Sequence, residues 1–143
     1  MFFGEFEHSV DSKGRLTIPS KFKDELASGI VITHGLDGCL WAFTKDEWVK
    51  VAQKIAALPN SNESARKFKR YMFSGASEYI PDRNGRVIIP QKLREHAEIS
   101  NEVVIAGAMD KLEIWAPHRW SAEQNSVTED PEALIAQLDN LGI

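Results

Sequence analysis

The sequence contains the same unit twice, and this repeat limits the possible folds more than any other feature. The pentapeptide Asp11–Arg15 (DSKGR) returns 71 residues later as Asp82–Arg86 (DRNGR). The similarity continues on both sides of this motif, and after one inserted residue the offset becomes 72. The matched pairs are Phe2 with Phe73, Gly4 with Gly75, Glu7 with Glu78, Ile18 with Ile89, Pro19 with Pro90, Lys21 with Lys92, Gly35 with Gly107, Leu40 with Leu112, and Trp48 with Trp120. We therefore expect two copies of one supersecondary unit that share a core.

Each copy begins with the pattern of a β-hairpin followed by a short helix. Residues 5–10 predict a strand that leads into the D-x-x-G-R motif of the first copy. Asp11 is expected to accept hydrogen bonds from the amides that follow it, and Gly14 to supply the positive φ of the turn. Asp82 and Gly85 have the same places in the second copy. Residues 15–18 then alternate polar and apolar as a half-buried strand does, and the next proline starts a short helix over residues 20–27.

The remaining segments predict a second hairpin in each copy and a helical connector between the copies. The expected strands are 30–33 and 40–43 in the first copy, and 87–89, 103–106 and 112–115 in the second, which also has a helix over 90–97. Apolar spacing predicts connector helices over 45–58 and 63–73, and a closing helix over 131–141. The boundaries we expect are a first domain at 5–48, a helical connector at 49–74, a second domain at 75–120, and an acidic C-terminal helical tail at 121–143.

Composition excludes several classes of protein. The chain is 43% apolar and 27% charged, which is typical of a globular protein. Its longest apolar run, residues 103–109, is too short to cross a bilayer, and the first ten residues carry two glutamates and no basic residue, unlike a secretory signal. Cys39 is the single cysteine and cannot form an internal disulfide. We expect a protein of the reducing cytoplasm with no membrane partner.

The residue pattern gives no indication of catalysis. We find no nucleophile–base pair and no glycine-rich phosphate loop in the sequence. The four histidines never occur at metal-ligand spacing, and none is expected to bind a metal. The expectation is a protein that is not an enzyme, with no catalytic residue, no metal, no cofactor and no small-molecule substrate.

The distribution of charge points to two basic surfaces. The net charge is −4, but residues 120–143 contain five acidic residues and no basic one, so residues 1–119 carry +1. Each D-x-x-G-R motif lies in a local excess of three positive charges. The basic residues are Lys13, Arg15, Lys21 and Lys23 around the first motif, and Arg83, Arg86, Lys92 and Arg94 around the second. Because local charge sets a binding face, these clusters are candidate sites for an anionic partner.

The doubled motif resembles the MraZ family. A hairpin with D-x-x-x-R at its turn, an Ile-Pro step into a short basic helix, the opening Met1–Gly4 and both closing tryptophans are similar to that family, over residues 1 to about 120. The resemblance implies an α+β fold of tandem AbrB/SpoVT-like half-domains, a double-split β-α-β arrangement. It also implies a cytoplasmic, nucleoid-associated transcriptional regulator that represses its own cluster of division and cell-wall genes. Such proteins assemble into rings and bind short direct repeats in promoter DNA.

Two interpretations of the turn arginines remain open. Arg15 and Arg86 follow the turn glycines, where each could clamp guanine in the major groove of double-stranded DNA. Each could instead only pair with the aspartate of its own turn, an exposed ion pair worth ~0–1 kcal/mol. The other basic residues are either phosphate contacts or solvated surface charges. They are Lys13, Lys21, Lys23, Arg83, Lys92 and Arg94.

The same pattern leaves alternatives at the level of function and packing. The chain could be a ring-forming interaction scaffold that touches DNA only non-specifically, and the basic run of residues 66–70 could be a further DNA surface or an exposed helix face. The tryptophans are expected to pack in the core rather than to stack on single strands. Candidate contacts for a homo-oligomer larger than a dimer are Phe2, Phe3, Phe73 and Trp115, although core packing is the favoured role for any one of them.

Overall fold

The computed structural model describes residues 1–142, and in it strands and helices alternate along the chain. The first half contains β1 (Glu5–Ser9), β2 (Arg15–Thr17), a 3-10 turn (Ser20–Phe22), α1 (Lys23–Leu26), β3 (Ile30–His34) and β4 (Leu40–Thr44). The connector contains α2 (Lys45–Ala56) and α3 (Glu63–Ser74). The second half contains β5 (Ser77–Tyr79), β6 (Arg86–Ile88), α4 (Gln91–His96), β7 (Glu102–Gly107) and β8 (Leu112–Trp115). The chain continues with α5 (Pro117–Thr128), α6 (Pro131–Ala136) and a 3-10 turn (Asp139–Leu141).

The strands of the two halves exchange partners. Six strands form an antiparallel sheet in the order β1-β7-β8-β4-β3-β5, and β2 pairs with β6 in a separate two-stranded ribbon. The sequence predicted that β1 and β2 form a hairpin with each other. The turn between them is present and is closed by the bridge between Val10 and Leu16 and by a hydrogen bond from the Asp11 amide to the Arg15 carbonyl oxygen. Each of the two strands nevertheless forms its ladder with a strand of the second half. The local hairpin is therefore replaced by an intertwined pair of half-domains.

The strand registers reveal an approximate two-fold axis. In the β2–β6 ribbon, Leu16 lies opposite Val87, its own counterpart in the repeat. Where the sheet joins its halves, Trp41 lies opposite Glu113, its counterpart at the offset of 72. Because equivalent residues face each other at both places, the axis passes through the ribbon and through the β4–β8 pair. The two-fold symmetry of the fold thus corresponds to the repeat in the sequence.

One hydrophobic core serves both halves, as the repeat predicted. Its largest cluster includes Leu16, Ile32, Val87 and Ile105, each at most 3% exposed. The cluster lies between the ribbon and the large sheet, and the 3-10 turn and α4 contribute Phe22 and Leu93 to it. The α+β fold of tandem AbrB/SpoVT-like half-domains is thereby confirmed.

The structure divides the four apolar residues that were candidates for an oligomer contact. Phe2 and Trp115 are 2% and 3% exposed, which supports core packing, the role that the sequence favoured for each of them, and leaves neither available to a second copy. Phe2 packs edge-on against Phe22, and Trp115 packs against Trp120. Phe3 and Phe73 remain exposed at 53% and 37%.

The predicted helical tail over 121–143 overlaps α5 but does not include its start at Pro117, although the repeat contains a signal for this start. Trp48 is the fourth residue of α2, and its counterpart Trp120 is the fourth residue of α5. The two helices are thus equivalent elements that follow the last strand of each half. The predicted closing helix over 131–141 is shorter in the structure, where the α-helix ends at Ala136 and a 3-10 turn follows. Asp130 caps α6 by accepting a hydrogen bond from the Ala133 amide.

Candidate nucleic-acid interface

The two D-x-x-G-R motifs form matching turns. Oδ1 of Asp11 accepts hydrogen bonds from the backbone amides of Lys13 and Arg15, both at 2.9 Å. Gly14 adopts a φ of 81°, a conformation that costs other L-residues about 1–2 kcal/mol. Asp82 and Gly85 repeat this geometry in the second half. In both turns the aspartate accepts amide hydrogen bonds and the glycine has the positive φ.

Each turn arginine forms an ion pair with the aspartate of its own turn. Nε of Arg15 donates to Oδ2 of Asp11 at 2.7 Å, and Nε of Arg86 donates to Oδ2 of Asp82 at 2.9 Å. The backbone amide of each arginine and then its side chain hold the pKa of the aspartate below its ordinary value. Among residues 1–142, the terminal guanidinium nitrogens of both arginines have no protein acceptor within hydrogen-bonding distance. The aspartate thus orients the arginine through Nε alone and leaves its two terminal nitrogens free of protein acceptors in this part of the chain.

Each turn is held by the other half of the chain. The carbonyl oxygen of Gly14 accepts a hydrogen bond from the Ile89 amide at 2.8 Å, and that of Gly85 accepts one from the Ile18 amide at 2.9 Å. These contacts fix the turns against the ends of the β2–β6 ribbon. Each basic turn therefore depends on a backbone hydrogen bond from the other half of the chain.

The ribbon brings the two arginines onto one outward face, where their side chains are 33% and 31% exposed. Arg15 lies opposite Ile88 in the ladder, and Thr17 lies opposite Arg86. Because residues opposite each other and residues two apart share a face of a β-ladder, these four side chains lie on the same side. The other side carries Leu16 and Val87, which are buried. The sequence predicted two separate hairpin tips as candidate binding elements, whereas the structure combines them into one surface, which we call the ribbon face (Arg15, Thr17, Arg86 and Ile88).

Two more of the predicted basic residues lie against the turns. A Cβ atom added to Gly14 would lie 3.1 Å from Cζ of Arg94, and one added to Gly85 would lie 2.7 Å from Cε of Lys23. Lys23 and Arg94 are counterparts in the repeat, and each packs on the turn of the opposite half. Nε of Arg94 also donates to the carbonyl oxygen of Ile89 at 3.0 Å.

The other predicted basic residues differ in their surroundings. Lys13 and Arg83 are exposed within the two turns, and Lys92 is exposed on α4. Lys21 lies with Nζ 4.0 Å from the centre of the Phe3 ring, a cation–π contact at the N-terminal segment. The Lys21 side chain therefore contacts the N-terminal segment. The second copy has no aromatic residue at the position that corresponds to Phe3, so the repeat provides no equivalent ring for Lys92.

The basic run on α3 is used in local contacts. Arg66 donates to the carbonyl oxygen of Asn60 at 2.9 Å, Lys69 donates to the side chain of the same asparagine, and Lys67 pairs with Glu63. These contacts hold the loop between α2 and α3. They favour the interpretation of the run as a structural, solvent-facing helix surface.

Sequence reasoning did not single out Thr17 and Ile88 as candidate functional residues. Ile88 is 45% exposed although it is a strand residue next to the core residue Val87. The signal was present, because strict alternation along β6 places Ile88 on the side of Arg86. The ladder between the halves then adds Thr17 to the same side.

A second cluster of polar rings lies where α3, α4 and α5 approach the end of β3. The hydroxyl of Tyr71 donates to the carbonyl oxygen of Gly35 at 2.6 Å and lies 3.1 Å from Nε2 of His96. Since the hydroxyl has one proton, Nε2 of His96 is the donor in the second contact. The His34 ring lies 4.5 Å from that of His96, and Arg119 donates to the His96 carbonyl oxygen. Burial, then His34 and Arg119, lower the pKa of His96.

Two negative findings concern the part of the chain that the structure describes. No group of three or more His, Cys, Asp or Glu side chains in residues 1–142 is arranged to hold a metal ion. None of the helices within this range combines the length and the hydropathy needed to cross a bilayer.

Comparison with known proteins identifies the family. The family model described as "MraZ protein, putative antitoxin-like" matches the chain in two segments, residues 1–71 and 72–137, in agreement with the internal repeat. A protein of Halothermothrix orenii and one of Pediococcus pentosaceus are 45% and 46% identical to the chain over the full length of both sequences. A protein of a Roseiflexus species is 48% identical over 120 residues, 84% of each sequence. All three are named "Transcriptional regulator MraZ". The resemblance in the doubled motif is thus confirmed along the chain, which belongs to the MraZ family.

Proposed function

We propose that this protein is a transcription regulator that binds double-stranded DNA with the ribbon face. The names of its full-length relatives support the regulatory role. The observation that carries the proposal is the pair Arg15 and Arg86 on the outward side of a two-stranded antiparallel ribbon, with both side chains about one-third exposed. Such a ribbon fits the major groove, and arginine recognises the O6 and N7 atoms of guanine there.

The charges around the ribbon face support contact with a phosphate backbone. Exposed Lys13 and Arg83 lie in the turns, Lys23 and Arg94 pack on them, and Lys92 is exposed on α4. Cations on both sides of a groove-binding element can contact phosphates, and these contacts fix the position of the element along the duplex. We propose these five residues as phosphate contacts. We also propose Lys21 as a phosphate contact, with its ammonium group packed on the Phe3 ring.

We further propose that several copies act together. One ribbon with its flanking cations offers few phosphate contacts, and the chain as a whole carries −4, so useful affinity requires several copies on one promoter. Head-to-tail contact between unlike faces closes a ring and presents every ribbon in the same direction, which suits direct repeats. The proposed targets are direct repeats upstream of the protein's own gene cluster, which it would repress in the cytoplasm at the nucleoid. In this arrangement residues 5–48 and 75–120 act as the paired DNA-binding domains.

The decisive experiment is a mobility-shift titration with DNA from immediately upstream of the protein's own gene. Arg15→Ala and Arg86→Ala are expected to lose specific binding by about 5- to 150-fold per contact, the effect of ~1–3 kcal/mol, while the far-ultraviolet spectrum is unchanged. Arg70→Ala on α3 is the matched control, because it removes an exposed arginine outside the ribbon face. Wild-type affinity in both turn variants at physiological salt would rule out the ribbon face as the DNA-binding surface.

The same titration distinguishes the scaffold alternative. A regulator keeps its preference for the promoter over random DNA as the salt concentration rises, whereas a scaffold with non-specific contacts loses all binding together. Light scattering of the free protein tests the assembly separately. A stable monomer at micromolar concentration would contradict the ring, and an oligomer larger than a dimer would support it.

A further inference from the structure

The two-fold symmetry of the ribbon face is broken at one pair of residues. Arg15 and Arg86 are counterparts in the repeat and are identical. Their neighbours Thr17 and Ile88 are also counterparts, but one carries a hydroxyl and the other is entirely apolar. The ladder places Arg15 beside Ile88 and Arg86 beside Thr17. The ribbon face therefore presents the same guanidinium group twice, with an apolar neighbour beside Arg15 and a hydroxyl-bearing neighbour beside Arg86.

The exposure of Ile88 is not explained by the packing of the protein. Its side chain is 45% exposed, and it lies on the outer side of the ribbon while Val87 and Ile89 on either side of it are 3% and 0% exposed. The core is therefore filled without Ile88. Ile88 lies opposite Arg15 in the ladder and on the same side of β6 as Arg86, so it belongs to the face that is proposed to contact DNA.

We propose that Ile88 recognises the 5-methyl group of a thymine, so that the ribbon face reads an asymmetric base sequence. The inference rests on the proposed binding of the ribbon in the major groove. Isoleucine has no hydrogen-bond donor or acceptor beyond the backbone, so its side chain can select only an apolar feature of a base edge. In the major groove the methyl group of thymine is that feature, and the guanine recognised by Arg15 would lie beside it.

Thr17 completes the asymmetry. Its hydroxyl both donates and accepts, and threonine is compatible with either kind of base edge. The half of the site beside Thr17 and Arg86 is therefore read with less stringency than the half beside Ile88 and Arg15. A palindromic site would present the same base to both Thr17 and Ile88, so a non-palindromic repeat unit fits this face better.

The test uses the promoter fragment with thymine replaced by uracil, which removes the methyl group and leaves every hydrogen-bonding atom in place. Uracil at one defined position of each repeat is expected to weaken wild-type binding by at least about fourfold, the effect of one buried methyl group. Ile88→Ala is expected to bind the thymine DNA more weakly and to be insensitive to uracil at that same position. Ile80→Ala is the control, since it removes an isoleucine that is 70% exposed outside the ribbon face.

Each outcome decides between the proposals. If wild type binds the promoter specifically but no thymine-to-uracil change affects it, the inference about Ile88 is wrong and the regulator proposal stands. The inference about Ile88 is also wrong, and the regulator proposal also stands, if Ile88→Ala retains the full uracil effect or if this variant changes only the oligomer mass in light scattering. If Arg15→Ala and Arg86→Ala bind as wild type does, the proposed function itself fails, and the inference fails with it.

Discussion

The carbonyl oxygen of Gly14 and the backbone amide of Ile89 form a 2.8 Å hydrogen bond between the two halves of the chain. Its symmetry mate joins Gly85 to Ile18 at 2.9 Å. Each basic turn is thus fixed by the strand end that precedes the short helix of the opposite half. The geometry of the ribbon face consequently depends on correct docking of both halves.

Substitution of Gly14 by alanine is expected to destabilise the fold by more than its backbone conformation alone explains. At a φ of 81°, alanine costs about 1–2 kcal/mol, and the new Cβ would lie 3.0 Å from the carbonyl oxygen of Ile89. Gly85→Ala is the matched control, because Gly85 has a similar φ of 71° in the equivalent turn and an added Cβ would meet only the flexible end of the Lys23 side chain. Urea denaturation should show a larger loss for Gly14→Ala. Equal losses of unfolding free energy in the two variants would mean that the close contact with Ile89 does not destabilise the fold.

The stability of the protein is expected to fall as the pH drops below neutral, with His96 as one cause. Burial, His34 and Arg119 lower its pKa from the ordinary value of 6.5. Above 6.5 the ring is neutral in both states and the stability is fully present. As the pH falls, the unfolded chain binds the proton first, so stability is lost until the lowered folded pKa is passed, and then the loss levels off.

His96→Gln keeps a side-chain donor for the Tyr71 hydroxyl and removes this titration. Chemical denaturation between pH 5 and 8 should show a smaller slope for the variant than for wild type. Some slope should remain, because burial also lowers the pKa of His8. An unchanged slope in His96→Gln would contradict the assignment to His96.

Cys39 is expected to resist thiol reagents in the folded protein. It is 0% exposed, and burial together with the Glu113 and Asp37 carboxylates raises the pKa of the thiol to about 12. The reactive thiolate is therefore scarce at pH 8, and the sulfur is also inaccessible. Labelling monitored by mass spectrometry should be far slower than for the urea-unfolded chain. Similar rates in the two states would show that the strand end around Cys39 opens readily.

The spacing of DNA repeats provides a test of the proposed assembly. Copies that face one side of the duplex require repeats separated by about 10–10.5 base pairs or multiples of this length. Insertion of about 5 base pairs rotates one repeat to the far side of the helix and should abolish the gain in affinity from a second repeat. Mobility-shift titration of phased and half-turn-shifted fragments measures this gain. Equal affinities would mean that the copies bind independently.

The sequence contained enough information to predict the elements of the fold but not the pairing of its strands. Alternation along residues 15–18 correctly predicted a half-buried strand, and the turn chemistry of Asp11 and Gly14 was correct in detail. Alternation assigns side chains to faces without naming the neighbouring strand. A three-residue strand such as β2 has little local preference for β1 over β6, so the exchange between halves is decided by burial of Leu16 against Val87.

The sequence proposed the residues of the candidate site, whereas their arrangement on one face is known only from the structure. The equivalence of Arg15 and Arg86 followed from the repeat, but their presence on one face depends on the non-local β2–β6 ladder. Both interpretations of the arginines stay compatible with the structure, because the pair with aspartate uses Nε alone. The start of helix α5 could have been predicted from the match of Trp48 with Trp120, since a counterpart of a helical tryptophan is itself expected in a helix.

The covalent link between the halves has a consequence for how the ribbon can change in evolution. In an assembly of two identical short chains, every substitution in the ribbon would appear on both sides of the axis at once. Here the connector α2 and α3 joins the halves, so a mutation at position 88 leaves position 17 untouched. A surface made by two identical chains must keep its two-fold symmetry. After duplication within one gene, the two sides of the ribbon can diverge separately. The buried pair Leu16 and Val87 continues to hold the two sides together.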